Sequence, residues 1–283
     1  MSKANIINID LKLPTKWEDL TDKQLRYLFG LLAQGFPAQQ VKTYCLFRWS
    51  GMQVMHRYGK GYLIRLSPKV KGYGLKVKEI VLNAEQVEQA THALDWLDTL
   101  PTMPVRLCRI GSHRAIDAQF QGVPFETFIV CDNLYQGYLA TKQDELLDEM
   151  ASHLYTSKFR VESLEFIDRL GRLFTPYTLH LTQTERISVF YWFASLKSFF
   201  AQVFKHFFQP IDTASGADGN MIEHGGSQYE MLQNAVNAQI RALTKGDITK
   251  ENEVLSLDTW RALTELDAQA REYEELNKQY PTK

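Results

Sequence analysis

The chain has 283 residues, 45% hydrophobic and 23% charged, with a formal net charge of -1. That length supports one large domain or two smaller ones with real cores, and the balance excludes a disordered chain. A net charge this close to zero predicts no class of partner.

Three cysteines, Cys45, Cys108 and Cys131, form no CxxC pair. An odd, sparse set argues against a disulfide scaffold and reads as three buried free thiols in a reducing compartment. The opening MSKANIINID has no apolar run before its first charges, so no signal peptide is expected and the expected location is the cytoplasm.

Residues 5–13 alternate loosely and read as a short strand ended by Pro14. Thr21 with Gln24 three residues on is a helix start, and Leu25, Leu28, Phe29 and Leu32 supply its apolar face. Gly35 closes that helix, and Pro37 opens another running toward Gly51. Glycines at 59, 61, 72 and 74 then punctuate runs such as YLIRL and LKVKEIVL, which predicts a hairpin or small sheet. Asn83 and Gln86 begin a further helix with Val87, Ala90, Leu94 and Leu97 inward, bounded by Pro101 and Pro104.

Residues 105–123 are ambiguous between strand and loop. From Phe125 to Tyr155 the pattern is helical in one or two pieces, burying Leu134, Tyr138, Leu146, Leu147, Met150 and Leu154. Asp144, Glu145, Asp148 and Glu149 read as its wet face. A short helix is expected near 160–170.

Thr182 and Glu185 mark the start of an aromatic helix. Residues 187–208 are apolar enough to raise the question of a membrane span. Lys197, Lys205 and His206 oppose that reading, and Ser195, Ser198, Gln202, Lys205 and Gln209 recur as one wet face. The segment reads as a core helix, with partner binding as the alternative.

Residues 210–228 lose all periodicity and read as a flexible loop or linker. Helices over 229–244 and 250–277 follow, joined around Gly246, with a stripe at Leu257, Trp260, Leu263, Leu266, Ala270 and Tyr273. The expected fold is mostly α with a small β hairpin or sheet near the N-terminal third (α+β). Its parts are a helical body over 1–209 with a basic β-rich insert at about 57–82, the linker, and a C-terminal helical hairpin over 229–283.

Charge is distributed unevenly. From Lys23 through Lys78 there is no Asp or Glu, but there are eleven basic residues: Lys23, Arg26, Lys42, Arg48, Arg57, Lys60, Arg65, Lys69, Lys71, Lys76 and Lys78. Such a run reads as a surface neutralised within the chain, a face for an acidic protein or second copy, a nucleic-acid contact, or a membrane-surface contact. For nucleic acid, the binding set would be Arg57, Lys60, Arg65, Lys69, Lys71, Lys76 and Lys78, with Tyr58, Tyr62 and Tyr73 as stacking surfaces. The pattern matches no helix-turn-helix, zinc-finger or ribonucleoprotein-sheet signature.

Motif chemistry is missing. GKGYLIRL lacks the spacing of a phosphate-cradling loop, no GxSxG elbow occurs, and none of the seven histidines forms HExxH. No catalytic residue, cofactor or metal ligand is assigned from motifs. A dispersed site including His56 or His113 remains an alternative, because spatial neighbours are invisible in a sequence.

Two stretches, LPTKWEDLTDKQLRYLFGLLAQGF and NAQIRALTKGDITKENEVLSLDTWRALTELDAQAREYEEL, resemble segments of uncharacterised bacterial prophage or mobile-element accessory proteins. The resemblance covers about a quarter of the chain and implies an assembly or accessory role, with no site residues to carry over. The first expectation is therefore a non-enzymatic interaction or assembly protein, with a protein partner or self-association through Trp192, Phe200, Phe204, Trp260, Leu263 and Tyr273. The alternatives are a nucleic-acid-binding accessory protein and an enzyme with a dispersed site.

Overall fold

A computed structural model describes residues 11–59, 61–66, 79–156, 179–208 and 238–279. The strand expected at 5–13 lies largely outside them. The short helix near 160–170, the loop at 210–228 and the first part of the helix beginning at 229 also fall outside. Two compact units emerge: Met1–Pro101 with Gln183–Ser188, and Thr102–Thr182 with Val189–Lys283. The protein is mostly helical, with a small sheet in the N-terminal third and joined helices at the C-terminal end, as the periodicity predicts.

The first unit begins with a 3-10 turn at Trp17–Asp19 and helix α1 at Asp22–Ala33. Thr21 and Gln24 form the reciprocal cap that their spacing predicts: Gln24 Oε1 accepts from the Thr21 amide at 2.9 Å. Leu25, Leu28, Phe29 and Leu31 are buried. The stripe thus ends on Leu31, three residues past Leu28, while Leu32 is only half-buried.

Helix α2, Ala38–Ser50, starts behind Pro37 and stops at Gly51, whose φ of 76° is the left-handed region that glycine adopts without strain. That turn sends the chain into strand β1, Gln53–Tyr58, which pairs antiparallel with β2, Gly61–Arg65. Strand β3, Glu79–Asn83, pairs with β2 from the other side.

Asn83 ends β3 and caps helix α3, Ala84–Thr91, in a second reciprocal cap with Gln86. The helix expected to run on to Leu97 instead tightens into a 3-10 turn, His92–Asp98, where Leu94 leaves helical geometry. Val87 and Leu94 stay buried. Three-residue periodicity brings Asp95 and Asp98 onto one side. The buried Lys42 ammonium, from α2, donates to both at 2.8 Å.

The second unit holds a small antiparallel sheet: β4 at Arg109–Ile110, β5 at His113–Ala115 and β6 at Tyr155–Thr156. The segment from Phe125 is helical in two pieces, α4 at Phe125–Thr141 and α5 at Asp144–Leu154, separated by Lys142 at a φ of 58°. Leu147, Met150 and Leu154 are buried as expected, whereas Leu134 and Tyr138 are only partly so and Leu146 is half-buried. The wet-face assignment fails at Asp148, which is 3% exposed.

Helix α6, Gln183–Val203, starts directly after Thr182; its first six residues group with the first unit and the rest with the second. Ser195, expected on its wet face, is fully buried and donates to the Trp192 carbonyl at 2.9 Å, which satisfies its hydroxyl in place. No described helix is long and apolar enough to cross a membrane.

Helix α7 covers 238–244, and Lys245 and Gly246, both at positive φ, turn the chain toward α8, Glu251–Leu255. The helix expected over 250–277 is broken before α9, Thr259–Gln279. Asp258 explains the break. One of its oxygens accepts from the Trp260 and Arg261 amides, capping α9, and the other accepts from Gly122 at 2.6 Å. Buried aromatic tips in this unit are satisfied by loop carbonyls: Trp192 donates to Ala118, Trp260 to Gln119 and Tyr155 to Leu107.

Candidate binding cleft

Gln40, Tyr44, Phe47 and Arg48 recur at helical spacing, so α2 presents them on one side. The sheet meets them through an irregularity. Val54 pairs with Ile64 and His56 with Leu63, so one extra residue, Met55, sits in β1. Such a bulge shifts the alternation by one and turns Arg57 to the same face as Val54, Tyr62 and Ile64. His56 and Tyr58 take the opposite face, their rings 4.7 Å apart.

Between helix and sheet lies a cleft of about 500 Å³, lined by Gln40, Thr43, Tyr44, Phe47 and Arg48 from α2, by Tyr27 from α1, and by Met52, Val54, Arg57 and Tyr62. Phe47 packs on Tyr62 at 5.4 Å and anchors the base of the sheet. Each arginine lies over a tyrosine ring with its Cζ 5.7 Å from the centroid: Arg48 over Tyr27, Arg57 over Tyr62. Both are exposed, and neither has an ion pair among the described residues.

No acidic residue lines the cleft among the described residues. Burial raises the Tyr27 phenol above its ordinary value, with Cys45 adding to the effect and Arg48 opposing it, so Tyr27 is a neutral ring at physiological pH. Burial also pushes the Cys45 thiol up to about 12, which removes it as a nucleophile. The first unit as a whole carries fifteen lysines and arginines against ten carboxylates, a net of +5, while the second unit nets -6.

The residues singled out from sequence divide sharply. Arg57 and Tyr62 line the cleft. Arg65 instead meets Glu79, its cross-strand partner, at 2.8 Å. Of the other acid-free-stretch cations, Arg26 pairs with Asp22 and Glu185 and Lys42 with Asp95 and Asp98. Lys60, Lys69, Lys71, Tyr73, Lys76 and Lys78 lie outside the described residues.

Four residues offered as protein contacts are core side chains: Trp192, Phe200 and Leu263 are fully buried and Phe204 is 4% exposed. Their place in the aromatic packing is evident from Phe120 on Trp192 at 6.4 Å and Phe204 on Trp260 at 5.6 Å. Trp260 is half-buried, and Tyr273, expected in the apolar stripe, is 67% exposed.

Sequence reasoning missed Tyr27, Tyr44 and Arg48 as cleft residues. The signal was there for two of them: Tyr44 and Arg48 are four apart on one helix face and carry no neighbouring acid. Among the described residues no group of three or more His, Cys, Asp or Glu side chains is placed to hold a metal. No family model, curated protein or solved structure matches this chain.

Proposed function

We propose that the protein is a nucleic-acid-binding accessory protein whose first unit contacts the phosphate backbone. The supporting observation is the pair of arginines, each held against a tyrosine and each without a carboxylate partner among the described residues, in a cleft with no acidic lining. Stacking preorganises a guanidinium while leaving its N–H groups for oxygen acceptors, and arginine suits phosphate geometry better than lysine. The +5 balance of the unit adds long-range attraction for a polyanion. Such a protein would fill the assembly or accessory role that the resemblance of 13–36 and 237–276 to prophage or mobile-element proteins implies, a resemblance that does not itself choose nucleic acid as the partner.

Binding of labelled DNA and RNA to the full chain tests this reading. Saturable binding at low salt is expected, with at least a tenfold loss on charge reversal in R48E/R57E. Absence of binding at low salt, or an unchanged affinity in a folded R48E/R57E variant, contradicts it. An assembly role through the aromatic side chains has less support, because four of the six proposed contacts are enclosed in the chain's own core.

A further inference from the structure

We infer that the cleft between α2 and the β1–β2 hairpin accepts an unpaired nucleobase, so that the first unit selects single strands over duplex. This rests on the nucleic-acid reading above and specifies which form of nucleic acid the site takes.

Phosphate attraction alone needs only exposed cations. Here the cations are set into an aromatic-lined recess. Tyr27 and Tyr62 are half-buried, Tyr44 is 43% exposed at the rim, and Arg48 and Arg57 lie on two of these rings. A volume of about 500 Å³ falls within the range of about 300–1,000 Å³ usual for small-molecule sites. It holds a planar heteroaromatic ring with its sugar, and the two guanidinium groups are then at hand for the attached phosphate.

In a duplex each base face is covered by its neighbours and each pairing edge is occupied, so no base is free to enter a recess. In a single strand the ring can swing out and exchange stacking on its neighbours for stacking on tyrosine. Acidic side chains share the charge but carry no ring to fill the recess, whereas every nucleotide carries both on one unit. A neutral, ring-lined pocket between two cations therefore favours nucleic acid over an acidic protein segment.

The neutral state of Tyr27 suits this role, because a phenolate would repel the phosphate. Tyr44 is the rim residue best suited to substitution. It is exposed, and the ring it packs on, Phe36 at 5.3 Å, is itself only half-buried.

The test uses the full chain and four probes of matched length or charge: a single-stranded oligonucleotide, the same strand with abasic residues, its duplex, and an oligoglutamate peptide. The base-bearing strand is expected to bind about tenfold or more tighter than the abasic strand and the duplex. Tyr44→Ala should erase most of that difference, Tyr44→Phe should retain it, and a thermal melt confirms that both variants are folded. Oligoglutamate should compete poorly.

Equal binding of base-bearing and abasic strands, with R48E/R57E weakening both, overturns base insertion while leaving phosphate binding intact. Binding of none of the nucleic acids overturns both readings. Equal competition by oligoglutamate overturns the choice of nucleic acid. Displacement of the strand by a free mononucleotide at micromolar concentration overturns the single-strand claim, because the recess would then be satisfied by a small molecule.

Discussion

At the residue scale, burial and partner count decide which charges are free to act. Lys42 sits in the same acid-free stretch as Arg48, yet its ammonium is enclosed and shared between Asp95 and Asp98. Burial opposes its charge, but the two carboxylate hydrogen bonds outweigh that and raise its pKa. Hydrogen bonding to Lys42, then to His92, lowers that of Asp95. Lys42→Ala should destabilise the first unit by about 1–2 kcal/mol, since both carboxylates are half-exposed and water screens part of the loss. A denaturant midpoint unchanged from wild type would contradict this. The signs of linkage follow from the shifts. The Lys42 contribution is whole below its ordinary value of 10.5 and is lost as pH rises through the raised folded value. The Asp95 contribution is whole above 3.8 and is lost as pH falls.

Cys45 supplies a second alkaline dependence. Its thiol is raised from 9.0 to about 12 by burial, so ionisation favours the unfolded chain between those values. Raising the pH from 8 to 10 should cost about 1 kcal/mol through this group. Urea midpoints at the two pH values check it: Cys45→Ala should show a smaller pH-dependent drop than wild type. An equal drop in both would assign the effect elsewhere.

At the scale of elements, the caps and the breaks carry the architecture. Asp258→Ala removes the cap of α9 and the acceptor for Gly122 together. A loss of about 2 kcal/mol is expected, with Asp258→Asn recovering part of it. Matching midpoints for the alanine and asparagine variants would contradict the capping account.

Legibility follows the same division. Thr21 with Gln24 and Asn83 with Gln86 were readable because both partners lie within one turn. The small sheet was readable from its glycines and alternation. The bulge at Met55 was not, because nothing in QVMHRY marks which residue is left unpaired; pairing with β2 decides it. The burial of Asp148 and Ser195 was hidden for a similar reason. Each sits on its helix at a position that looks solvent-facing until the neighbouring elements are in place. Arg65 looked like a free cation until β3 brought Glu79 opposite it.

At the scale of the whole molecule, a net charge of -1 conceals a first unit at +5 and a second at -6. The overall figure therefore predicts no partner, whereas the charge of the first unit does. Within that unit Arg26, Lys42 and Arg65 are tied to carboxylates, whereas Arg48 and Arg57 lie over tyrosine rings in one cleft, the polyanion site proposed above.

The most direct measurement is the salt dependence of single-strand binding by the full chain, wild type against R48Q/R57Q. Log affinity should fall linearly with log salt concentration, and losing two phosphate contacts should flatten that slope by about 1.4. A slope near zero in the wild type, or identical slopes in the two proteins, would contradict backbone binding at this cleft.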